Sequence, residues 1–472
     1  RTNKVSFSSS PSPPHARNDS FGEREKEGEG EKKPRRRSLC PSFALPSLQE
    51  GEKTIYSLAK LIIYVINNIS LTKGSEICFT FFLNISQFST PKKVIRLLLL
   101  YYGIEERESI EEDEEEDLKL MGEPTTIKKV QVISLLKQWL EDWPFDLFGP
   151  ESERELKDLF QVIKKEHERS AISLQNLFEK KKKEMIRRDN EKIQSENFFL
   201  LLPPTPLPQN NFDVDEIAHA ITPWEHLQLS SITVSELLNW SQGKKKNCDF
   251  IHSIVNFSNK LANWVTSTLV TQIQIIKRVV SIEKFINLAE KLHDLKNFSS
   301  CFAVIGGLTN TASHRLKKTW AMVDEDALER FLKIKHMMSP HEHYSKYRAY
   351  VEECTPPCVP YLGVILSDLT FIHDGNKSHS ENEINFSKCR LIAKELTSFI
   401  EFQNIDYDLE NCQSNFQKAI EHSEIMSDEE LFDYSNLVEP KDQEKATQQL
   451  MDQCKDLEKQ LKEAHDKINQ LE

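Results

Sequence analysis

Residues Thr355–Asn376 read TPPCVPYLGVILSDLTFIHDGN, and within them Gly363, Ser367, Thr370 and Asp374 fall on one helical face. That stripe is small and polar, with a hydroxyl and a carboxylate one turn apart, which suits a surface that enters another molecule. Bond-making chemistry finds weaker candidates. His341-Glu342-His343 lacks the HExxH spacing that sets two imidazoles one turn apart, and no third ligand stands at a suggestive distance, so no metal site is expected. Cys354 and Cys358 flank Thr355-Pro356-Pro357, where the prolines prevent a redox helix start; structural thiols are the better account. Gly306-Gly307 sits among Ala303, Val304, Ile305 and Leu308 without the GxxxxGK[ST] of a phosphate loop. Two glycines letting helices approach closely explain it better.

Holding such a stripe in place takes a stiff rod with a partner for its other face. Pro356, Pro357 and Pro360 give a rigid entry, and Asp374-Gly375-Asn376 supplies turn residues at the far end. In between, Leu362, Ile365, Leu366, Leu369 and Ile372 recur at helical spacing, about 130° around the axis from the polar stripe. After a short polar stretch, Ile384–Gln403 returns with Phe386, Cys389, Ala393, Leu396 and Ile400 on its buried side. An antiparallel helical hairpin is expected, and its outer face is the working part.

The segment resembles the helical hairpin of the Ras-type guanine-nucleotide exchange factor (RasGEF) catalytic domain, and the likeness extends beyond it. Phe257–Val265 resembles the family's FNxxSxWV segment, and Arg278–Ile286 its RVxxIEKFI helix. Asn297-Phe298, Gly307-Leu308 and Arg315–Trp320 follow the pattern NFNxxxAIxxGLxxxxVxRLxxTW, and His343–Arg348 is similar to NYxxYR. Further upstream, Phe79–Val94 resembles the TFFLxYRxFxTPxEL signature of the Ras exchanger motif (REM) domain, departing from it at Asn84-Ile85-Ser86. Lys129–Leu140 with Trp139, then Trp143–Phe148, match that domain's second signature.

The resemblance implies an all-α protein that promotes GDP release from a Ras-superfamily small GTPase, of Ras, Rap or Ral type. It implies no covalent chemistry and no cofactor, since the nucleotide and magnesium belong to the GTPase. In such exchangers the hairpin displaces the first switch segment of the GTPase. The residue matching Thr370 approaches the magnesium site and the acid matching Asp374 the α-phosphate; Gly363, Leu366 and Ser367 complete the wedge. Asp374 is one methylene shorter than the glutamate of Son-of-sevenless. Asn259, Trp264, Thr309, Asn310, Arg315, His343, Tyr344, Arg348 and Tyr361 are the implied GTPase contacts. Thr309 replaces an asparagine of some members, and Ser299 the second asparagine of NFN. The rival reading keeps the fold but not the activity: a GTPase-binding scaffold, dimerised by its C-terminal helix.

Organisation along the chain follows from composition. Residues 1–47 are rich in Ser, Pro, Glu and Lys and are expected to be disordered, with the cluster Lys32–Arg37 as a solvated charge run. The REM domain is expected over 48–162, interrupted by an acidic, self-repelling surface loop at Glu105–Asp117. A linker occupies 163–211, where Lys180–Lys183 with Arg187 and Arg188 reads first as a solvated helix face and second as an acidic-lipid contact. The catalytic domain is expected over 212–440. Over 441–472, Leu450, Cys454, Leu457, Leu461, Ala464, Ile468 and Leu471 alternate at spacings of four and three, a coiled-coil seam that allows a homodimer. A balance of 61 basic to 74 acidic residues, net −13, argues against nucleic acid as a partner. Nine cysteines without disulfide rhythm fit the cytoplasm, with recruitment to the inner face of the plasma membrane through the basic stretches. No apolar run reaches the ~18 residues of a membrane span.

Overall fold

The computed structural model describes residues 55–70, 74–103, 112–201, 207, 212–376, 383–405, 407, 416–440, 451–455, 457, 459 and 461. The expected disordered tail, the cluster Lys32–Arg37, the first part of the acidic loop and most of the C-terminal seam lie outside these residues. As expected, the fold is all-α, with one two-stranded sheet among the described residues.

The N-terminal body comprises β1 (Ile55–Tyr56), α1 (Leu58–Asn68), α2 (Gly74–Phe88), α3 (Pro91–Gly103), α4 (Glu112–Met121), α5 (Thr126–Asp142), α6 (Pro150–Glu166) and α7 (Glu168–Leu201). Thr125 caps α5 by accepting from the Lys128 amide at 3.3 Å, and Pro150 opens α6 where no amide donor is needed. The α1 stripe Leu61, Ile62, Val65 and Ile66 is fully buried, and Phe82 stacks on Trp139 with centroids 5.1 Å apart. Phe145 instead stays exposed, its ring edge-on to Trp143.

Two sequence expectations change here. The acidic run is not loop throughout, because Glu112–Asp117 form the start of α4, where the helix dipole favours carboxylates. The charged helical stretch expected within the linker is α7, but it packs on the N-terminal body, its Ala171, Leu174 and Phe178 buried in the same core as α1 and α5. Two of its lysines are committed too: Lys182 pairs with Glu153 at 2.7 Å, and Lys181 donates to the Glu141 carbonyl at 3.0 Å.

The second body runs through α8 (Val214–Ser231), α9 (Val234–Ser241), α10 (Asp249–Val270), α11 (Ile275–Asp294), α12 (Phe298–Thr309), α13 (Thr311–His314), α14 (Lys317–Trp320), α15 (Glu325–Met337) and α16 (Ser345–Glu352). α10, α11 and α12 pack around Trp264, Phe285 and Phe298. A Cβ on Gly307 would lie 2.5 Å from the Ala262 carbonyl and 2.6 Å from the Val265 Cβ, so α10 and α12 touch only because residue 307 is glycine. Gly306, by contrast, faces open space.

The hairpin follows as α17 (Leu362–Gly375), β2 (Ile384–Asn385) and α18 (Phe386–Gln403). β2 pairs antiparallel with β1, setting Ile55 opposite Asn385 and Tyr56 opposite Ile384. Then α19 (Phe416–Glu421) and α20 (Asp428–Val438) close the body. Glu439, just past α20, accepts from the Lys318 amide at 2.6 Å and from the Thr319 hydroxyl at 3.1 Å. Of the C-terminal seam, the described residues between 451 and 461 are helical, and Met451, Leu457 and Leu461 are exposed.

Candidate functional site: the hairpin and its aromatic cradle

α17 divides as its spacing requires. Leu362, Val364, Ile365, Leu366 and Leu369 are buried, whereas Gly363, Ser367 and Asp374 are exposed and Thr370 is half-buried. The Thr370 hydroxyl donates to the Leu366 carbonyl at 2.7 Å, one turn back along α17. Leu366 needs correction as a contact residue. It is only 6% exposed, in a core with Phe79 and Leu83 of α2, Leu237 and Leu238 of α9, and Leu396 and Phe399 of α18. Burying each such side chain contributes about 1.5–3 kcal/mol, so Leu366 supports α17 from its core face.

The base of the hairpin is anchored in the N-terminal body. Phe386 and Cys389 of α18 lie in the α1–α7 core, where Phe386 meets Tyr56 and Tyr64 edge-on. Asn84, at the departure from the REM signature, is fully buried and donates to the Cys389 carbonyl at 3.1 Å. Near the tip, the Lys388 ammonium lies 3.0 Å from His373 Nδ1 and donates to the His373 carbonyl at 3.3 Å. Burial first, and then the Lys388 charge, push the His373 pKa below its ordinary value, while Asp374 opposes them. The imidazole is therefore neutral at neutral pH, leaving Asp374 as an exposed carboxylate beside a half-buried ammonium.

Beside α17 lies a cradle of aromatic rings. Tyr361 stacks on Phe302 with centroids 4.0 Å apart and planes 8° off parallel, and Tyr344 tilts toward both at 6.0 and 6.3 Å. The Tyr361 amide donates to the Tyr347 hydroxyl at 2.6 Å, fixing the start of α17. Gly363 serves this stack: a Cβ there would sit 2.7 Å from the Tyr361 ring. Glu342, His343 and Tyr344 have φ of 51°, 54° and 61°, three left-handed residues in succession, each costing about 1–3 kcal/mol and persisting only where neighbours impose it. Arg348 imposes it, its amide donating to the Tyr344 carbonyl at 2.9 Å and its Nε to the His343 carbonyl at 2.7 Å. The exposed His343 ring is thereby brought edge-on to Phe371 of α17, at 6.5 Å.

Three expected GTPase contacts are otherwise engaged. Trp264 is 4% exposed, enclosed by Phe212, Phe285 and Phe416, and packs the interior. Arg315 donates to the Ser435 hydroxyl at 3.2 Å and lies over the Phe432 ring, tying α20 to the body. Arg348 grips Asp368 of α17 with both terminal guanidinium nitrogens, one at 2.7 Å. Asn259 is exposed on α10. Thr309 and Asn310 are half-exposed, but Asn310 also caps α13, accepting from the Ala312 amide at 2.9 Å. Sequence reading missed Phe371, which is 64% exposed in the same stripe as Thr370. Helical spacing could have found it: residue 371 stands four after Ser367 and three before Asp374. Phe302 and Asp368 left no such signal. The thiol of Cys358 is buried and its pKa is raised by that burial, as a structural thiol requires.

A family profile described as RasGEF domain matches residues 216–390, and one described as RasGEF N-terminal motif matches 55–165. The chain belongs to the RasGEF family. Among its relatives, Ras guanine nucleotide exchange factor P of Dictyostelium discoideum is 30% identical over 386 residues, which are 78% of this chain and 25% of that protein. Ras guanine nucleotide exchange factor J of the same organism is 28% identical over 406 residues, 83% of this chain and 48% of that protein. Ras-specific guanine nucleotide-releasing factor 1 of Rattus norvegicus is 29% identical over 238 residues, 50% of this chain and 19% of that protein. The chain thus spans less than half the length of each. The matched RasGEF domain contains the whole of α17 and the cradle, and the N-terminal motif contains Asn84 and most of the core that receives Phe386.

Proposed function

We propose that this chain promotes guanine-nucleotide release from a Ras-superfamily small GTPase by inserting the outer face of α17 beside the nucleotide. The observation that carries this reading is the polar stripe Gly363, Ser367, Thr370 and Asp374, turned to solvent on a helix whose opposite face is locked into a core shared with the N-terminal motif. A face so supported can push without giving way. Picomolar nucleotide affinity corresponds to about −16 kcal/mol, and no bond need break to overcome it. The exchanger must bind the emptied GTPase comparably well, and linkage makes the weakening mutual. Thr370 would crowd the magnesium ion that neutralises the phosphates, and the Asp374 carboxylate would repel the phosphate in the lowered dielectric of the interface. Tyr344, Tyr361, His343 and Phe371 would receive an apolar segment of the GTPase next to the wedge. Aromatic anchors of this kind carry most of an interface's energy.

Release of a fluorescent guanine nucleotide from purified Ras, Rap and Ral proteins tests the reading and identifies the substrate. Stimulation of at least one is expected, and loss of that stimulation in Asp374→Ala with Ser367→Ala. Failure to bind every nucleotide-free GTPase offered would sink it.

The scaffold reading has one observation in its favour, the exposure of Met451, Leu457 and Leu461 on the described part of the C-terminal helix. Apolar residues so displayed support pairing with a second copy. Sedimentation of the full chain beside a chain ending at Pro440 decides it, since equal protomer numbers would remove the dimer. Dimerisation without nucleotide release would favour the scaffold over the exchanger.

A further inference from the structure

Asp368 stands between Ser367 and Thr370 but turns the other way from the solvent stripe, with its side chain 18% exposed. Two helices reach for it. From α16, Arg348 donates to both of its carboxylate oxygens. From α18, the half-buried Glu395 carboxyl is its hydrogen-bonded neighbour. Thus one guanidinium faces two carboxyl groups, and Lys394 of the same helix also acts on Glu395. Two carboxyl groups in hydrogen-bond contact do not both ionise cheaply, so ionisation of Glu395 beside Asp368 is opposed.

We propose that Glu395 is a positioning residue of the hairpin: while protonated it donates to Asp368 and completes a clamp joining α16, α17 and α18, and when ionised it opposes Asp368 and frees α18 from the clamp. The proposal rests on the hairpin being the exchange wedge. Arg348 extends the clamp's reach, because the same guanidinium holds the His343 carbonyl and so the left-handed turn that sets His343 against Phe371. Anything that unsettles Asp368 therefore unsettles both the wedge and its cradle.

Burial first, and then the charge of Asp368, push the Glu395 pKa up to about 7, while Arg348 and Lys394 oppose the shift. The sign follows from linkage. The folded chain holds this proton more tightly than the unfolded chain, whose glutamate titrates near its ordinary value of about 4.3. The stabilisation is complete below that value and is lost as pH rises through about 7. The clamp loosens as pH rises through about 7.

The test compares the full chain with its E395Q and E395A variants across pH 6 to 8. The amide of E395Q can donate to Asp368 at every pH, and E395A cannot donate at any. Hydrogen exchange of α17 and α18 amides, corrected for the intrinsic pH dependence of exchange, reads the clamp without any GTPase. Protection is expected to fall near pH 7 in the parent, to stay high in E395Q and to stay low in E395A. Stimulated nucleotide release, taken as the ratio of E395Q to parent so that the GTPase's own titration cancels, should rise from near one at pH 6 to about threefold at pH 8, the effect of one net hydrogen bond. Parallel protection profiles in parent and E395Q would overturn the clamp. A ratio that stays flat while protection steps would overturn its link to the wedge. If the protection step appears but no GTPase responds to any form, the clamp stands as a structural device and the exchange reading falls.

Discussion

The side-chain amide of Asn84 donates to the main-chain carbonyl of Cys389 across a sequence separation of 305 residues. This bond joins α2 of the N-terminal motif to α18 of the hairpin inside a region closed to water. Asn84 also donates to the Thr80 carbonyl one turn back at 2.9 Å, so its orientation is fixed from both sides. The hairpin therefore stands on two bodies rather than one.

Replacing Asn84 by Ala removes this buried hydrogen bond while the Cys389 carbonyl keeps its place in the α18 ladder, a loss of about 0.5–1.5 kcal/mol. Urea denaturation should show that loss, and stimulated nucleotide release should slow with it. A variant that is destabilised but fully active would show that the N-terminal motif supports folding alone.

Gly363→Ala gives opposite signs for helix propensity and function. In a free helix alanine is favoured over glycine by about 0.5–1 kcal/mol. Here the added methyl would meet the Tyr361 ring at 2.7 Å and push it off Phe302. Nucleotide release is expected to fall about tenfold, as displacement of one interface anchor implies. Near-UV dichroism should report the disturbed tyrosine, and unchanged dichroism with unchanged release would count against the cradle.

Phe371→Ala removes a ring that is mostly in solvent, so stability should stay within about 0.5 kcal/mol of the parent. Affinity for the nucleotide-free GTPase should drop by at least about tenfold if the ring is an anchor. Titration calorimetry with an emptied GTPase measures this, and equal affinity would remove Phe371 from the interface.

Trp264 and Asn259 lie on the same helix and are expected to separate cleanly. Trp264→Ala opens the packed cluster of Phe212, Phe285 and Phe416 and should cost about 3–5 kcal/mol of stability. Asn259→Ala, at an exposed position, should leave stability unchanged and alter only GTPase binding. The reverse pattern would contradict their placement.

Helical spacing alone was enough to divide α17 into a buried and a solvent face, and residue order alone carried the likeness that the family comparison bears out. Both are local properties, written in neighbouring residues. What each face meets is not local. Leu366, Arg315, Trp264 and Arg348 have side chains suited to an interface, yet a core, a neighbouring helix or a carboxylate of the same chain takes each of them. Only the folded chain brings Asn84 to Cys389, or Arg348 and Glu395 to Asp368, because those partners come from different helices and no sequence period links them. The side chains on offer were set by the sequence; burial and long-range pairing, which exist only after folding, decided which remain available to a partner.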